Sequence, residues 1–482
     1  MDRYGVIWTR ATGTPVKIAD MTLTPRELRI TKTQAATDGN VPGVSLLHDV
    51  SRIPQIEYLR TEHHQLPPQL AALLPPNDVH NPQRRILAAL LERIVNVRGM
   101  PLLEKDWHML MFAGRNGAGH LDVFENDEAA GRHYQGNAIA QTKPLSGSSL
   151  WFAFSRFVAD TADEEEQEYV LETVGPTPGV SGFMPKLAVP IPITEEGRWN
   201  GGLFGANAVP AIVKLERDSY PGLLALEELS YHYHREAGFP VPKTWLKTLE
   251  HHGEAVTLLA VERFDRKGNV PVPLESFFSL LKTGSPTKYF SNTDGAMEDA
   301  AKVCTVLNLP AAMRDDWYRR FVMSFLTGNG DLHLENMAIL GGAGACGLSP
   351  VFDPAPMRAY RGGRNSHDLL SALPFTGIGG DERDGYLPFS ASGETPTNLG
   401  KLLVDFGKSI GIDPRRSRGY IADLLVKTEG FREEALAMLE SLPASRKRFR
   451  APDVDGFAKT LAEVRQAIAA TFAKTRGRGE GR

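Results

Sequence analysis

The stretch Phe325-Leu326-Thr327-Gly328-Asn329-Gly330-Asp331-Leu332-His333-Leu334-Glu335-Asn336 constrains this chain most, because it closes a helix with glycines and then presents Asp, His and Asn at fixed offsets. The helix before it carries Trp317, Phe321, Val322, Phe325 and Leu326 on one apolar stripe, so it is expected to be buried and to anchor the loop at its end. Beyond it, Met337-Ala338-Ile339-Leu340 and the turn at Gly341-Gly342 predict a hairpin that returns Asp353, inside Ser349-Pro350-Val351-Phe352-Asp353-Pro354, to the side of Asn336. An Asp in Asn-Gly-Asp is by itself a turn residue. Its company gives it chemistry.

Asp331 and Asn336 stand five apart, the separation found in H-R-D-x-x-x-x-N, where the Asp orients and deprotonates an acceptor hydroxyl and the Asn holds magnesium. Upstream, Ala208-Val209-Pro210-Ala211-Ile212-Val213-Lys214-Leu215 reads as a strand ending in a lysine that would neutralise nucleotide phosphates. A helix from Leu223 to Ala237 follows, and its Glu227 is placed to pair with Lys214. The strand Val256–Val261 runs into Glu262-Arg263-Phe264-Asp265-Arg266, the position of an adenine-binding hinge, with backbone near Glu262 and Phe264 on the base and the Phe264 ring over its face.

Composition bounds the alternatives. The 482 residues, 42% hydrophobic and 23% charged, suit a globular chain of several packed units. A net charge of −4 argues against coating nucleic acid through bulk charge, and the basic cluster Arg446-Lys447-Arg448-Phe449-Arg450 reads as solvated surface. Cys304 and Cys346 alone cannot build a disulfide framework or a four-cysteine zinc site. The start shows no apolar run after a basic region and no window reaches the length of a membrane span, so a cytoplasmic protein with no membrane partner is expected.

Before the lysine strand, Tyr4–Trp8, Met21–Thr24 and Pro42–Leu47 read as strands. Leu70, Leu73 and Leu74 share one helical face, and Ile86, Leu90, Leu91 and Ile94 another. Gly114 to Val123 looks like a phosphate loop but lacks the Lys-Ser/Thr of a Walker motif, and is expected to be a tight hairpin. The acidic run Asp163–Glu168 reads as a solvated helix or loop, and the glycine turn Pro178–Lys186 leads into a strand. His232 and His234 lie on different helix faces, against a shared metal site. After Asp353, a Gly-rich stretch from 361 to 385 reads as a loop, with helices at Asn398–Ile410, Tyr420–Leu442 and Phe457–Phe472 and a disordered tail.

Together Val180-Ser181-Gly182-Phe183-Met184-Pro185-Lys186, Ile212-Val213-Lys214-Leu215, Val261-Glu262-Arg263-Phe264-Asp265-Arg266, Gly330-Asp331-Leu332-His333-Leu334-Glu335-Asn336 and Phe352-Asp353 resemble, in order and spacing, the HipA family of bacterial serine/threonine protein kinases. The resemblance implies an α+β, two-lobed protein-kinase-like fold: an added N-terminal α/β subdomain at 1–145, a kinase N-lobe at 146–266 and a mostly helical C-lobe at 267–482. It also implies ATP and Mg2+ as cofactors. Carried over by position, Asp331 is the catalytic base with His333 and Asn336 in its loop, Asn336 and Asp353 are the magnesium ligands, and Lys214 is the phosphate-binding lysine. The nucleotide-contacting set also takes in Val180, Ser181, Gly182, Glu227, Glu262, Phe264, Asp265 and His333. HipA-like kinases are commonly toxins neutralised by a HipB-like helix-turn-helix antitoxin, through which they reach DNA, and aminoacyl-tRNA synthetases are among the family's substrates.

The chain departs from the family pattern at three places. Glu335 stands where relatives have lysine in D-x-H-x-K-N, putting a negative charge where a positive one would lie near the transferred phosphoryl; Arg358, Arg361 and Arg364 are candidate replacements. Gly179 occupies the position of the autophosphorylated serine, leaving Ser181 as the nearest hydroxyl, and Phe183-Met184 replaces a frequent glutamine. Three functions are compatible with this pattern: a protein serine/threonine kinase first, then a small-molecule kinase on the same fold, then a nucleotide-binding regulator whose catalysis is weakened by Glu335.

Overall fold

The structure, a computed structural model, describes residues 2–39, 41–46, 55–62, 64–78, 80–136, 145–175, 184–205, 207–281, 308–332, 334–341, 346–360, 399–443 and 451–476. Val180, Ser181, Gly182, His333, Arg361, Arg364, the basic cluster at 446–450 and the stretch 361–385 lie outside the described residues. The chain is α+β and groups into two compact units, Met1–Glu216 with Lys243–Gly284 and Ala338–Gly347, and Arg217–Pro242 with Ser285–Met337 and Leu348–Arg482.

The two larger sheets of the first unit are antiparallel. Strands β1 (Arg3–Thr9), β2 (Val16–Leu23), β3 (Glu27–Lys32), β4 (Gln55–Leu59) and β5 (Leu121–Phe124) make a five-stranded sheet in the order β4-β3-β2-β1-β5. Alternation sends Ile7, Met21, Leu28, Ile30 and Val123 to one face, onto Trp107 and Leu110 of the helix Leu102–Ala113. The second sheet is formed by β6 (Lys186–Pro192), β7 (Ala208–Leu215), β8 (Thr244–His251) and β9 (Glu254–Glu262), in the order β6-β7-β9-β8. Its core face, with Leu187, Val189, Ala211, Val213, Leu258 and Ala260, packs on Trp151, Phe154 and Phe157 of the helix Ser148–Val158 and on Val170 and Leu171 of the helix Glu164–Val174. The acidic run opens that last helix, where Asp163 and Glu166 form a capping box. Helix Pro82–Glu92 serves both cores, sending Leu87 and Leu91 into one and Ile86 into the other.

Two short elements complete this unit: β10 (Arg266–Lys267) pairs with β11 (Val270–Pro271), and β12 (Leu274–Ser276) pairs with β13 (Ala338–Leu340). β14 at Gly347–Leu348 is hydrogen-bonded to β13 in the order β12-β13-β14, and the expected turn after Gly341 runs through 342–345, outside the described residues.

The second unit is built around the helix Ala311–Leu326. Trp317, Phe321, Val322, Phe325 and Leu326 are all buried, as the stripe predicts. Phe406 of the helix Leu399–Ser409 meets Phe321 at a ring-centroid distance of 5.0 Å, and the Tyr318 hydroxyl donates to Leu403 O at 2.9 Å.

Four expectations give way. Residues 41–46 form bends instead of a strand, because the Ser45 hydroxyl and the Leu46 N–H turn to the buried Glu275 carboxylate at 2.9 and 2.6 Å, and a buried charge takes donors ahead of β-propensity. Ile94 leaves the apolar stripe, 68% exposed, since its helix ends at Glu92. Gly114–Val123 is no strand hairpin: it closes with a Val123 N–H to Gly114 O bond, but its return limb is β5, paired with β1. Tyr420–Leu442 is two helices, Pro414–Lys427 and Phe431–Glu440, broken where the Thr428 hydroxyl caps Leu424 O and Gly430 lies under the Tyr233 hydroxyl, 2.7 Å from where a Cβ would sit.

Candidate functional site

In the first unit the face of the second sheet turned away from its core carries the cations. Lys186 on β6 and Lys214 on β7 are register partners and only 3% and 2% exposed, and Leu259 lies opposite Lys214 on β9. Two residues along, on the same face, the next cross-strand row is Ala188, Ile212 and Val261. The strip therefore runs from two ammonium groups, through small apolar side chains, to the end of β9 at Glu262. Like charges directly opposed across strands cost stability, so this pairing marks a place where positive charge is concentrated.

After Glu262 the chain enters a clamp. The Glu262 N–H donates to Lys243 O and the Arg263 N–H to Pro210 O, each at 2.9 Å, and Asp265 O accepts from Val272 N–H at 2.9 Å, so bonds hold Glu262–Phe264 from both ends. The Asp265 carboxylate is buried between two guanidiniums: Arg263 Nε and Nη2 donate to it at 2.9 and 2.7 Å, and Arg266 Nη1 at 2.9 Å. Both arginines then reach the loop between the helix Leu102–Ala113 and β5. Arg263 donates to Asn116 O and Gly117 O at 2.9 and 2.7 Å, Arg266 to Gly117 O and Gly119 O at 2.8 Å each, and the Gly119 N–H returns to Asp265 Oδ2 at 2.9 Å. Burial pushes the Asp265 carboxyl up, but the guanidiniums and the Gly119 N–H outweigh it and hold it below its ordinary value. Asp265, expected among the nucleotide contacts, is thus engaged with the N-terminal loop.

In the second unit the helix Ala311–Leu326 ends at Thr327, whose hydroxyl donates to Met323 O at 3.0 Å. Gly328 follows at φ +64°, where a Cβ would stand 2.6 Å from the Phe457 ring, so the turn requires glycine. Its carbonyl accepts from the Arg358 N–H at 3.3 Å, and the Arg358 side chain is buried. Asn329 Oδ1 accepts the Asp331 N–H at 2.8 Å, and Asn336 Nδ2 donates to Asp331 O at 2.7 Å and to Asp331 Oδ2 at 3.3 Å. Buried Leu332 and Leu334 pin the intervening turn, while Asp331 and Glu335 stay partly exposed. The loop is closed on itself, with one carboxylate oriented by one carboxamide.

Asp353 adopts φ +51°, uncommon for a non-glycine residue, and its N–H donates to the Tyr231 hydroxyl at 3.0 Å. Tyr231 lies one turn beyond Glu227 on the helix Leu223–Glu236, and Glu227 is 1% exposed. Burial pushes the Tyr231 hydroxyl far above its ordinary value, and the Glu227 and Asp353 carboxylates beside it add to the shift. Val351 N–H donates to Pro240 O at 2.8 Å, fixing the approach to Asp353. Among the described residues there is no group of three His, Cys, Asp or Glu that could hold a metal. No described helix is long and apolar enough to cross a membrane.

Residue-by-residue reading misses Tyr231, Asn329, Lys186 as a cation, and the arginine clamp. Tyr231 has a signal in its i+4 spacing from Glu227; the clamp's carbonyl partners have none.

An α+β chain with this loop and this cationic strip belongs to a known class of fold. It superposes with a TM-score of 0.62, at 16% identity, on a chain in the structure of the Shewanella oneidensis MR-1 toxin–antitoxin system HipA, HipB and its operator DNA, covering 98% of this chain and 99% of that one. Residues 179–429, just over half of the chain, match the family model of the HipA-like C-terminal domain, and the chain belongs to that family. It is similar to a Haemophilus influenzae protein named "Putative kinase", 25% identical over 253 residues and 67% of that protein's length. It is also similar to "Putative kinase Y4dM" of Sinorhizobium fredii, 29% identical over 177 residues and 38% of that length.

Proposed function

We propose that this chain is a serine/threonine protein kinase of HipA type, dependent on ATP and Mg2+, and the toxin of a toxin–antitoxin pair that modifies a translation-related protein and slows growth. The closed loop in which Asn336 donates to Asp331 carries the reading, because a carboxylate oriented by a hydrogen bond in a loop of this spacing suits the role of a base. Asp331 takes the proton of the incoming hydroxyl as its oxygen bonds to the γ-phosphorus and the bond to the β–γ bridging oxygen breaks, releasing ADP. Lys214, with Lys186 across from it, holds the phosphates. Asn336 and Asp353 offer hard oxygen donors that suit magnesium, which when bound would neutralise charge on the phosphates. Glu262 and Phe264 would take the adenine, and Ser181 is the first candidate for autophosphorylation.

The family likeness and the printed kinase names of the two relatives support phosphoryl transfer. The Shewanella complex supports a HipB-like antitoxin as partner, with DNA reached through it. An aminoacyl-tRNA synthetase is the first substrate to try, in the cytoplasm.

Purified protein with magnesium and γ-labelled ATP, alone and with bacterial lysate, beside an Asp331→Ala control, tests the reading. Label on this chain or a lysate protein, absent from the control, is expected. Label on a small metabolite alone would make it a small-molecule kinase. Glu335 favours one second reading, a nucleotide-binding regulator: binding of ATP with no transfer to anything would establish that instead.

A further inference from the structure

The segment Glu262–Phe264 is tied by backbone bonds, Glu262 N–H to Lys243 O and Arg263 N–H to Pro210 O at 2.9 Å each, and a second set of bonds joins it to the N-terminal loop. Arg263 lies within it and Arg266 two residues beyond it, Asp265 links the two, and all three are tied to the backbone of Asn116, Gly117 and Gly119. That loop is itself constrained. Gly119 sits at φ +81° with Leu274 O 2.8 Å from where a Cβ would be, and Asn116 at φ +54° gives its N–H to Asp122 Oδ1 at 2.8 Å. Asp122 itself accepts from the Tyr134 hydroxyl at 2.8 Å, on the helix packed against the first sheet. The chain of bonds therefore runs from the five-stranded sheet to the end of β9.

We propose that the Arg263–Asp265–Arg266 clamp on the Asn116–Gly119 loop determines base specificity, holding the Glu262–Phe264 backbone in the register that reads adenine against guanine. This rests on the nucleotide-binding reading above and extends it to the N-terminal sheet. Adenine and guanine present inverted donor and acceptor patterns at the positions carrying N6–H2 and O6. A backbone pair set for one rejects the other only while it is held in place, and a polar site of this kind loses discrimination when its groups shift. The three side chains act as positioning residues, without touching the base.

The test is equilibrium binding of ATP and GTP to the full-length protein and to Asp265→Asn and Arg266→Lys variants, with circular dichroism to establish the folded fraction. Asp265→Asn keeps the size and loses the charge both guanidiniums share; Arg266→Lys keeps the charge and loses the fork. The ratio of ATP to GTP affinity is expected to fall at least tenfold in both. A variant that is merely less folded loses both affinities together and leaves the ratio intact, which would overturn the proposal. Wild-type protein that binds ATP and GTP equally would overturn it too, with the kinase reading still standing, whereas wild-type protein that binds neither would remove both. If Asp265→Asn does not fold, Arg266→Lys decides alone.

Discussion

Lys186 and Lys214 face each other across β6 and β7, both almost wholly withdrawn from water. Like charges directly opposed across strands cost stability, and in the proposed kinase the phosphates of the nucleotide offset that cost. Lys186→Gln is expected to weaken ATP about tenfold, the loss of one charge-assisted contact, and to leave adenosine unaffected. Calorimetric titration with ATP, ADP and adenosine checks this; equal losses for all three would remove Lys186 from the phosphates.

Gly328 turns the chain out of the helix Ala311–Leu326 with φ +64° against the Phe457 ring. Gly328→Ala adds both a strained backbone and a clash, so a loss of about 2 kcal/mol is expected, read as a lowered midpoint in urea. Because Arg358 and Asn329 are tied to the same turn, phosphoryl transfer should fall as well at temperatures where the variant is folded.

Glu335 sits one residue before Asn336 in the loop Asp331 closes. Glu335→Lys replaces a negative by a positive charge beside the expected path of the phosphoryl group. Transfer in single-turnover assays should rise by about tenfold to a hundredfold. An unchanged rate would show that Arg358 or another cation already supplies that charge.

His120 and His234 are buried, with ring N–H groups on Gly43 O at 3.0 Å and Ser230 O at 2.7 Å. Burial pushes both down to about 4; the hydrogen bonds oppose the shift, and Arg266 and Arg320 respectively add to it. Between the ordinary 6.5 and about 4 the unfolded chain binds protons that the folded chain refuses, so stability falls as pH is lowered through that window. Each ring accounts for up to about 3 kcal/mol of the fall. Denaturation midpoints from pH 7 to 4.5 should drop in the wild type and drop less in His120→Gln and His234→Gln. The clamp acts lower: Asp265 is held below its ordinary 3.8, so its contribution is complete above that value and is lost only as pH falls through the depressed one.

Much of the architecture is legible in the sequence. The strand Ala208–Leu215 has the bounds its β-branched run suggests, the helix from Leu223 ends within a residue of expectation, and the stripe from Trp317 to Leu326 is buried throughout. These rest on periodicity and turn chemistry, which act over a few residues. The break at Thr428–Gly430 is hidden from such a reading, because it answers to the Tyr233 hydroxyl, far off in the chain.

The sequence by itself determined which residues the proposed chemistry rests on: Asp331 and Asn336 at a fixed offset, Lys214 at a strand's end, Asp353 beyond an expected hairpin. Tertiary structure alone decided what they answer to. Arg263 finds its carbonyl at Asn116, 147 residues away, and any residue type could have supplied that carbonyl, because backbone oxygens carry no residue identity. Lys186 meets Lys214 through strand register, and Tyr231 meets Asp353 through helix packing. Register and packing are set by which whole faces bury together, a property that no short window of the chain contains.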